Sequence, residues 1–269
     1  MKIDKNFVVR SISGIILVVM LVGGVLYSHL TCFILLSLLA TATVYELLSI
    51  LEKSLDIKPI KWLAVVTALI VSVVVFLVGS ESYLVRTNVI LSLTAILLIA
   101  RLSLEVFRIK IISITDLTYE LFALLYILFP FMLLTQIEGR FIVALFSLVW
   151  GNDVGAYVFG VSFGKHKLCE RLSPKKSWEG YIGGLISSIA IALIAALVFE
   201  QSLLSWAFVG LIISNAAVVG DLFESMIKRS LNIKDSGHII PGHGGLLDRF
   251  DAMLFAAPIF YVLYIYILS

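Results

Sequence analysis

Asp221, Glu224, Ser225 and Lys228 recur at steps of three and four residues, the spacing that lines side chains along one helix face. Such a face sets oxygen donors beside a cation. A Glu–Lys pair at a solvated helix end needs no ligand. Asp221, however, directly follows the apolar run AAVVG, where an ionisable group is costly unless it is paired or coordinated. Downstream, PGHGGLLDRFD offers a turn at Pro241 and Gly242, and Gly244 with Gly245 lets the backbone approach a ligand closely. Asp248 and Asp251 then open another helix. Acids in a first turn are favoured by the helix dipole alone, which accounts for Asp251 as readily as a ligand role does. Asp221 and Asp248, coming from two helices, can bring hard oxygen donors to one point, a set suited to Mg²⁺ with substrate phosphates completing its shell. His243 is expected to shape the loop and donate hydrogen bonds, because a phosphate monoester already anionic at neutral pH has no proton to lose before it attacks. His238 and His166 are read in the same way.

A second polar segment, GNDVGAYVFGVSFGKHKLCERLSPKKSWEG, places Asn152 and Asp153 at the end of an apolar run and follows them with Lys165, Lys167, Arg171, Lys175 and Lys176. Ser173 and Pro174 start a turn that presents Lys175 and Lys176, and Trp178 suits the lipid interface. Two readings of these cations stand side by side: specific binding of phosphates, or a polybasic loop resting on anionic headgroups. Glu46, Glu105 and Glu120 lie in or near apolar runs and are assigned structural roles, within reach of Lys53, Arg101 or Arg108.

The elements that must position these groups are membrane helices. The 269 residues are 61% hydrophobic and 14% charged, with a mean hydropathy of +1.08, which excludes an ordinary soluble domain. Stretches near 11–28, 30–51, 62–79, 84–104, 118–137, 141–160, 181–200, 203–221 and 251–268 are apolar enough to cross the hydrocarbon, which takes about 20 helical residues. With the amino terminus cytoplasmic, 18 of the 20 lysines and arginines fall on the inner side, leaving Arg86 and Arg140 outside. The expected fold is therefore all-α and polytopic, with about nine spans. Residues 1–140 form a scaffold, and 141–269 form a catalytic region with inner loops over 161–180 and 222–250. Cys32 and Cys169 are too few and too differently placed for a disulfide framework.

The segment from Ser225 to Asp251 resembles the signature of the phosphatidate cytidylyltransferase family, also called CDP-diacylglycerol synthases. The likeness is carried by Ser225, Lys228-Arg229, Lys234-Asp235, Gly237, Pro241, His243-Gly244-Gly245 and Asp248-Arg249-x-Asp251. ND-x-GAY at 152–157 and SPKKSWEG at 173–180 also look like family segments, with Ser177 standing where threonine is more usual.

The resemblance implies transfer of a cytidylyl group from CTP to phosphatidic acid, giving CDP-diacylglycerol and pyrophosphate. It also implies a requirement for Mg²⁺, with room for a second cation, and an all-helical homodimer in a bacterial-type inner membrane with the site facing the cytoplasm. No nucleic acid is involved. In such a reaction several negative charges must be held together in line. Asp221 and Asp248 are then the expected metal ligands, with Asp153 and Asp251 as further candidates. Lys175 and Lys176, presented by Ser173, would bind the CTP phosphates, and Lys228, Arg229 and Arg249 would neutralise phosphatidate or departing pyrophosphate. His243 and Gly244 would shape the binding loop. Two other classes share some of these features: a transporter, which would carry acids near the middle of its spans, and a CTP-dependent lipid kinase, which would add a single phosphate.

Overall fold

The computed structural model describes residues 5–55, 57–79, 83–106, 114–237 and 244–268. Helices follow one another along the chain: α1 (Lys5–Tyr27), α2 (His29–Leu55), α3 (Lys61–Leu77), α4 (Tyr83–Val106), α5 (Ile114–Ala123), α6 (Phe129–Leu134), α7 (Gly139–Phe163), α8 (Trp178–Val198), α9 (Leu203–Ser230) and α10 (Leu247–Leu263). A π-helical turn at Leu124–Leu128 joins α5 to α6 in one rod, and another at Tyr264–Leu268 extends α10. Six of these rods are long and apolar enough to cross a membrane: α2, α5 with α6, α7, α8, α9, and α10 with its extension. The apolar stretches of Ile12–Tyr27, Lys61–Leu77 and Asn88–Leu104 are shorter.

Two expectations about the inner loops change. The segment read as a loop over 222–250 is helix as far as Ser230, because the three-and-four spacing of Asp221, Glu224 and Lys228 continues the apolar helix without a break. The 161–180 loop holds a short antiparallel hairpin, β1 (Lys167–Cys169) with β2 (Ser173–Ser177). Glu179, in the first turn of α8, closes the base of that hairpin. Its carboxylate accepts from the His166 ring at 2.6 Å and from the backbone N–H of Lys165 at 3.1 Å. Ser177 caps α8 by accepting from the Gly180 N–H.

The largest helix contacts join α7 to α8, α8 to α9 and α9 to α10, so the four helices that carry the polar motifs pack as one group. Small residues allow the close approach. A Cβ added at Gly184 would lie 2.8 Å from the Asn152 backbone oxygen, and one at Gly210 would lie 3.0 Å from the Ile189 Cα. Buried Asn152 accepts from Ser214 Oγ at 2.6 Å, which ties α7 to α9. In the amino-terminal half Arg101 pairs with Glu120 at 2.8 Å, both buried, and Glu120 also accepts from the Ile60 N–H. Glu105 and Arg108 contribute no described side chain.

Candidate active site

Helices α9 and α10 run side by side, and their acids form a ladder. Gly220 makes this possible. A Cβ there would sit 2.6 Å from the Asp251 backbone oxygen and 3.0 Å from the Ala252 Cα, so only a residue without a side chain lets the two backbones meet. One residue on, Asp221 acts electrostatically on Asp251, and Asp153 on α7 acts on both. One turn further along α9, Glu224 feels the charge of Asp251 and lies beside the Asp248 carboxyl. Five acids from three helices therefore share one region.

Lysines bracket the ladder. At one end Lys176, from β2, pairs with Asp221 at 2.5 Å. At the other, Lys228 lies between Glu224 at 2.5 Å and Asp248 at 2.9 Å. Arg249 is exposed, and its charge reaches Asp153. Gly220→Ala is expected to push α9 from α10, costing about 1–3 kcal/mol through overpacking. Thermal unfolding in detergent measures the loss, and an unchanged transition would contradict the close-contact role.

Beside the Asp221 end lies a cavity of about 340 Å³. Asp153, Asp221, Ser173, Lys175 and Lys176 line it, together with Tyr157 and Tyr181. Tyr181 is held by a 2.7 Å hydrogen bond from its hydroxyl to Asn215 Oδ1. A pocket lined by cations, carboxylates and aromatic rings suits a ligand that carries phosphates and a ring.

The residues singled out from the sequence separate into groups. Asp153, Ser173, Lys175, Lys176 and Asp221 meet at the cavity, and Asp251 couples to that group from α10. Asp221 and Asp248 keep different company. Asp248 accepts from Lys228 and from the backbone N–H groups of Gly245 at 2.9 Å and Ser236 at 3.0 Å, so it organises the loop ahead of α10. Lys228 is committed to two carboxylates rather than presented to the cavity. Arg229 is exposed and its Nε donates to the Leu172 carbonyl at 3.4 Å, bracing the hairpin against the end of α9.

Gly244 adopts a φ of +81°, and a Cβ there would lie 2.6 Å from Asp248 Oδ2, which explains the glycine by conformation and by space. His243, Pro241 and Gly242 lie outside the described residues. Among the described residues no three imidazole, thiol or carboxylate side chains are gathered closely enough to enclose a metal ion by themselves. Asp153 and Asp221, which both line the cavity, are hard oxygen donors, and such a pair fits an ion that fills the rest of its shell with water and phosphate oxygens.

Two contributors were not singled out as site residues from the sequence. Glu224 is fully buried at the centre of the ladder, signalled only by its place on the Asp221–Lys228 face. Glu46, on α2, accepts from the Leu247 N–H at 2.8 Å, 201 residues away in the chain. Its only local signal was an acid inside an apolar run.

A family model described as the cytidylyltransferase family matches residues 8–267. The chain is also 41% identical over 160 residues to the phosphatidate cytidylyltransferase of Staphylococcus saprophyticus, a match covering 58% of this chain and 62% of that protein. It is 40% identical over 158 residues to a protein of the same name from Staphylococcus epidermidis, covering 57% of this chain and 61% of the relative. For the Staphylococcus aureus protein of that name the identity is 42% over 158 residues, with the same coverage of 57% and 61%. The match thus spans less than two thirds of the length of each of these relatives.

Proposed function

This chain belongs to the cytidylyltransferase family, and on that premise we propose that it transfers a cytidylyl group from CTP to phosphatidic acid within a membrane. The products are CDP-diacylglycerol and pyrophosphate. The observation that carries this reading is the cavity lined together by Lys175, Lys176, Asp153 and Asp221. Relatives named phosphatidate cytidylyltransferase support the choice of substrates.

In this reaction a phosphatidate phosphate oxygen attacks the α-phosphorus of CTP. A new phosphoanhydride bond forms, and the bond from the α-phosphorus to the oxygen that bridges to the β-phosphorus breaks, with the electron pair leaving on pyrophosphate. The chain's task is to hold two anionic partners in line despite their repulsion. Lys175 and Lys176 take the CTP phosphates. The Asp221–Lys176 ion pair holds the lysine at the cavity wall before the nucleotide arrives. Arg249, exposed at the start of α10, is placed to receive phosphatidate or pyrophosphate.

Asp221 and Asp153 at the cavity would hold Mg²⁺, with Asp251 as a further candidate and water and phosphate oxygens filling the rest of its shell. A bound Mg²⁺ would supply charge neutralisation to the phosphates and orient them. Activity is accordingly expected to vanish with EDTA and return when Mg²⁺ is added in excess. Full activity in EDTA would refute the metal role. The site is proposed to face the cytoplasm, a reading that the clustering of lysine and arginine around it supports through the positive-inside rule. Two copies of the chain are proposed to form the working unit, a point that the mass of the detergent-solubilised protein would test.

Lys175→Ala should raise the KM for CTP by about tenfold, the loss of one charged hydrogen bond of about 1.5 kcal/mol, and change the KM for phosphatidate much less. An unaltered CTP dependence would remove Lys175 from the nucleotide site. The reading as a whole is tested by incubating purified protein with CTP, phosphatidic acid and Mg²⁺ and weighing the lipid product. A lipid bearing a cytidine diphosphate supports it. A lipid gaining a single phosphate would assign a kinase instead.

A further inference from the structure

Glu46 stands in the middle of α2, in the half of the chain that carries none of the cavity residues, yet its carboxylate lies against the loop that leads into α10. It is 5% exposed. Its partners are main-chain groups: Oε2 accepts from the Leu247 N–H at 2.8 Å, and the Leu246 N–H also points to the carboxylate. A buried carboxylate is costly unless such donors compensate it, and here they are the free N–H groups that open a helix. Glu46 therefore caps α10 from across the bundle.

The loop is shaped around this side chain. A Cβ on Gly245 would lie 2.6 Å from Glu46 Oε1 and 2.7 Å from Oε2, and a Cβ on Gly237 would collide with the same Oε1. These two glycines flank the segment, and both are missing a side chain where the carboxylate needs the room. The same stretch of backbone then holds Asp248. The N–H groups of Gly245 and Ser236 donate to its carboxylate, and Ser236 Oγ accepts from the Asp248 N–H at 3.3 Å. Glu46 reaches Leu247, and the neighbouring backbone of Ser236 and Gly245 holds Asp248, which in turn meets Lys228 and through it Glu224.

We infer that Glu46 is a positioning residue for the reaction: it fixes the loop ahead of α10 so that the Asp248 carboxyl and the ladder beyond it keep their register, and it makes the amino-terminal helices part of the active centre. The inference rests on the cytidylyl-transfer reading for its kinetic arm only. Its structural arm, backbone hydrogen exchange in the substrate-free protein, holds whatever the reaction is.

The test compares the full-length wild type with Glu46→Ala, Glu46→Gln, Gly237→Ala and the double variant Glu46→Ala/Gly237→Ala. Glu46→Ala is expected to speed exchange selectively over 236–237 and 244–248 and to lower kcat by ~10²-fold, the scale of an ångström-level misplacement of reacting groups. The KM for CTP should stay within about threefold, because Glu46 does not line the nucleotide cavity. Glu46→Gln keeps a carbonyl acceptor for Leu247 and should recover most of the lost rate. Gly237→Ala should slow the wild type yet cost far less in the Glu46→Ala background, where the collision is gone.

The inference is overturned if 236–237 and 244–248 exchange no faster than in the wild type, if exchange quickens evenly through all the helices, or if the Gly237→Ala penalty is the same in both backgrounds. Should Glu46→Ala fail to fold, the other two single variants decide. Glu46→Gln must then keep the local protection and Gly237→Ala must lose it, and any other pattern refutes the role. A wild type with the expected exchange pattern but no cytidylyl product would count against the proposed reaction and leave the loop anchor standing.

Discussion

Asp221→Asn is expected to lower formation of CDP-lipid by at least ~10²–10³-fold, the scale seen when one preorganised electrostatic contact to a transition state is removed. The side chain keeps its size, and its neighbour Gly220 keeps α9 against α10, so the helices should stay assembled. What changes is charge. Asp221 pairs with Lys176 at the cavity wall and couples to Asp153 and Asp251 on two other helices. Neutralising it releases the lysine and removes an oxygen donor where the proposed reaction gathers phosphate charge. The ion pair is partly solvated, with side-chain exposures of 24% and 32%, so its loss should cost less than about 1 kcal/mol of stability. A large kinetic loss beside a small shift in thermal unfolding is the expected signature. Near-normal turnover in the purified variant would remove Asp221 from the site.

Lys228→Met should do the reverse, striking stability first. The ammonium is the charge between two carboxylates that are almost out of solvent, Glu224 at 1% and Asp248 at 10% side-chain exposure. Removing one partner of a buried ionic cluster costs about 3–5 kcal/mol, because the remaining charge is left without compensation. Here two acids are left facing each other. The transition in detergent should fall markedly, and Glu224→Gln added to Lys228→Met should restore part of the loss by removing one of the stranded charges. A transition unchanged by Lys228→Met, or a double variant less stable than the single one, would mean that the cluster is not held by the lysine.

The contrast between these two lysines also shows what could be read from the chain alone. The face formed by Asp221, Glu224 and Lys228 was legible because it follows from local helix geometry. The same local logic carries α9 past its apolar stretch to Ser230, although charge density there suggested a loop. The pairing of Lys176 with Asp221 was not legible, since nothing local tells which of five cations in the 165–176 stretch will meet a helix some forty-five residues away. The hairpin β1–β2 escaped for a related reason: strands of three and five residues carry too little alternation to announce themselves. Asp248 was expected beside Asp221, but a helix places its acids by rotation as well as by position. The turn of α10 sets Asp251 against Asp221 and sends Asp248 to Lys228 and the loop backbone. Glu46 is the furthest case, an acid whose partners lie 201 residues away.

The most direct measurement follows two labels through one reaction. Purified protein and its Asp221→Asn variant are each given phosphatidic acid, Mg²⁺ and CTP labelled at either the α- or the γ-phosphate, and the lipid and aqueous fractions are counted. Cytidylyl transfer at the Asp221 centre predicts that the α label enters the lipid and the γ label leaves as pyrophosphate, with neither movement in the variant. A γ label on the lipid, or equal α transfer by the variant, would contradict it.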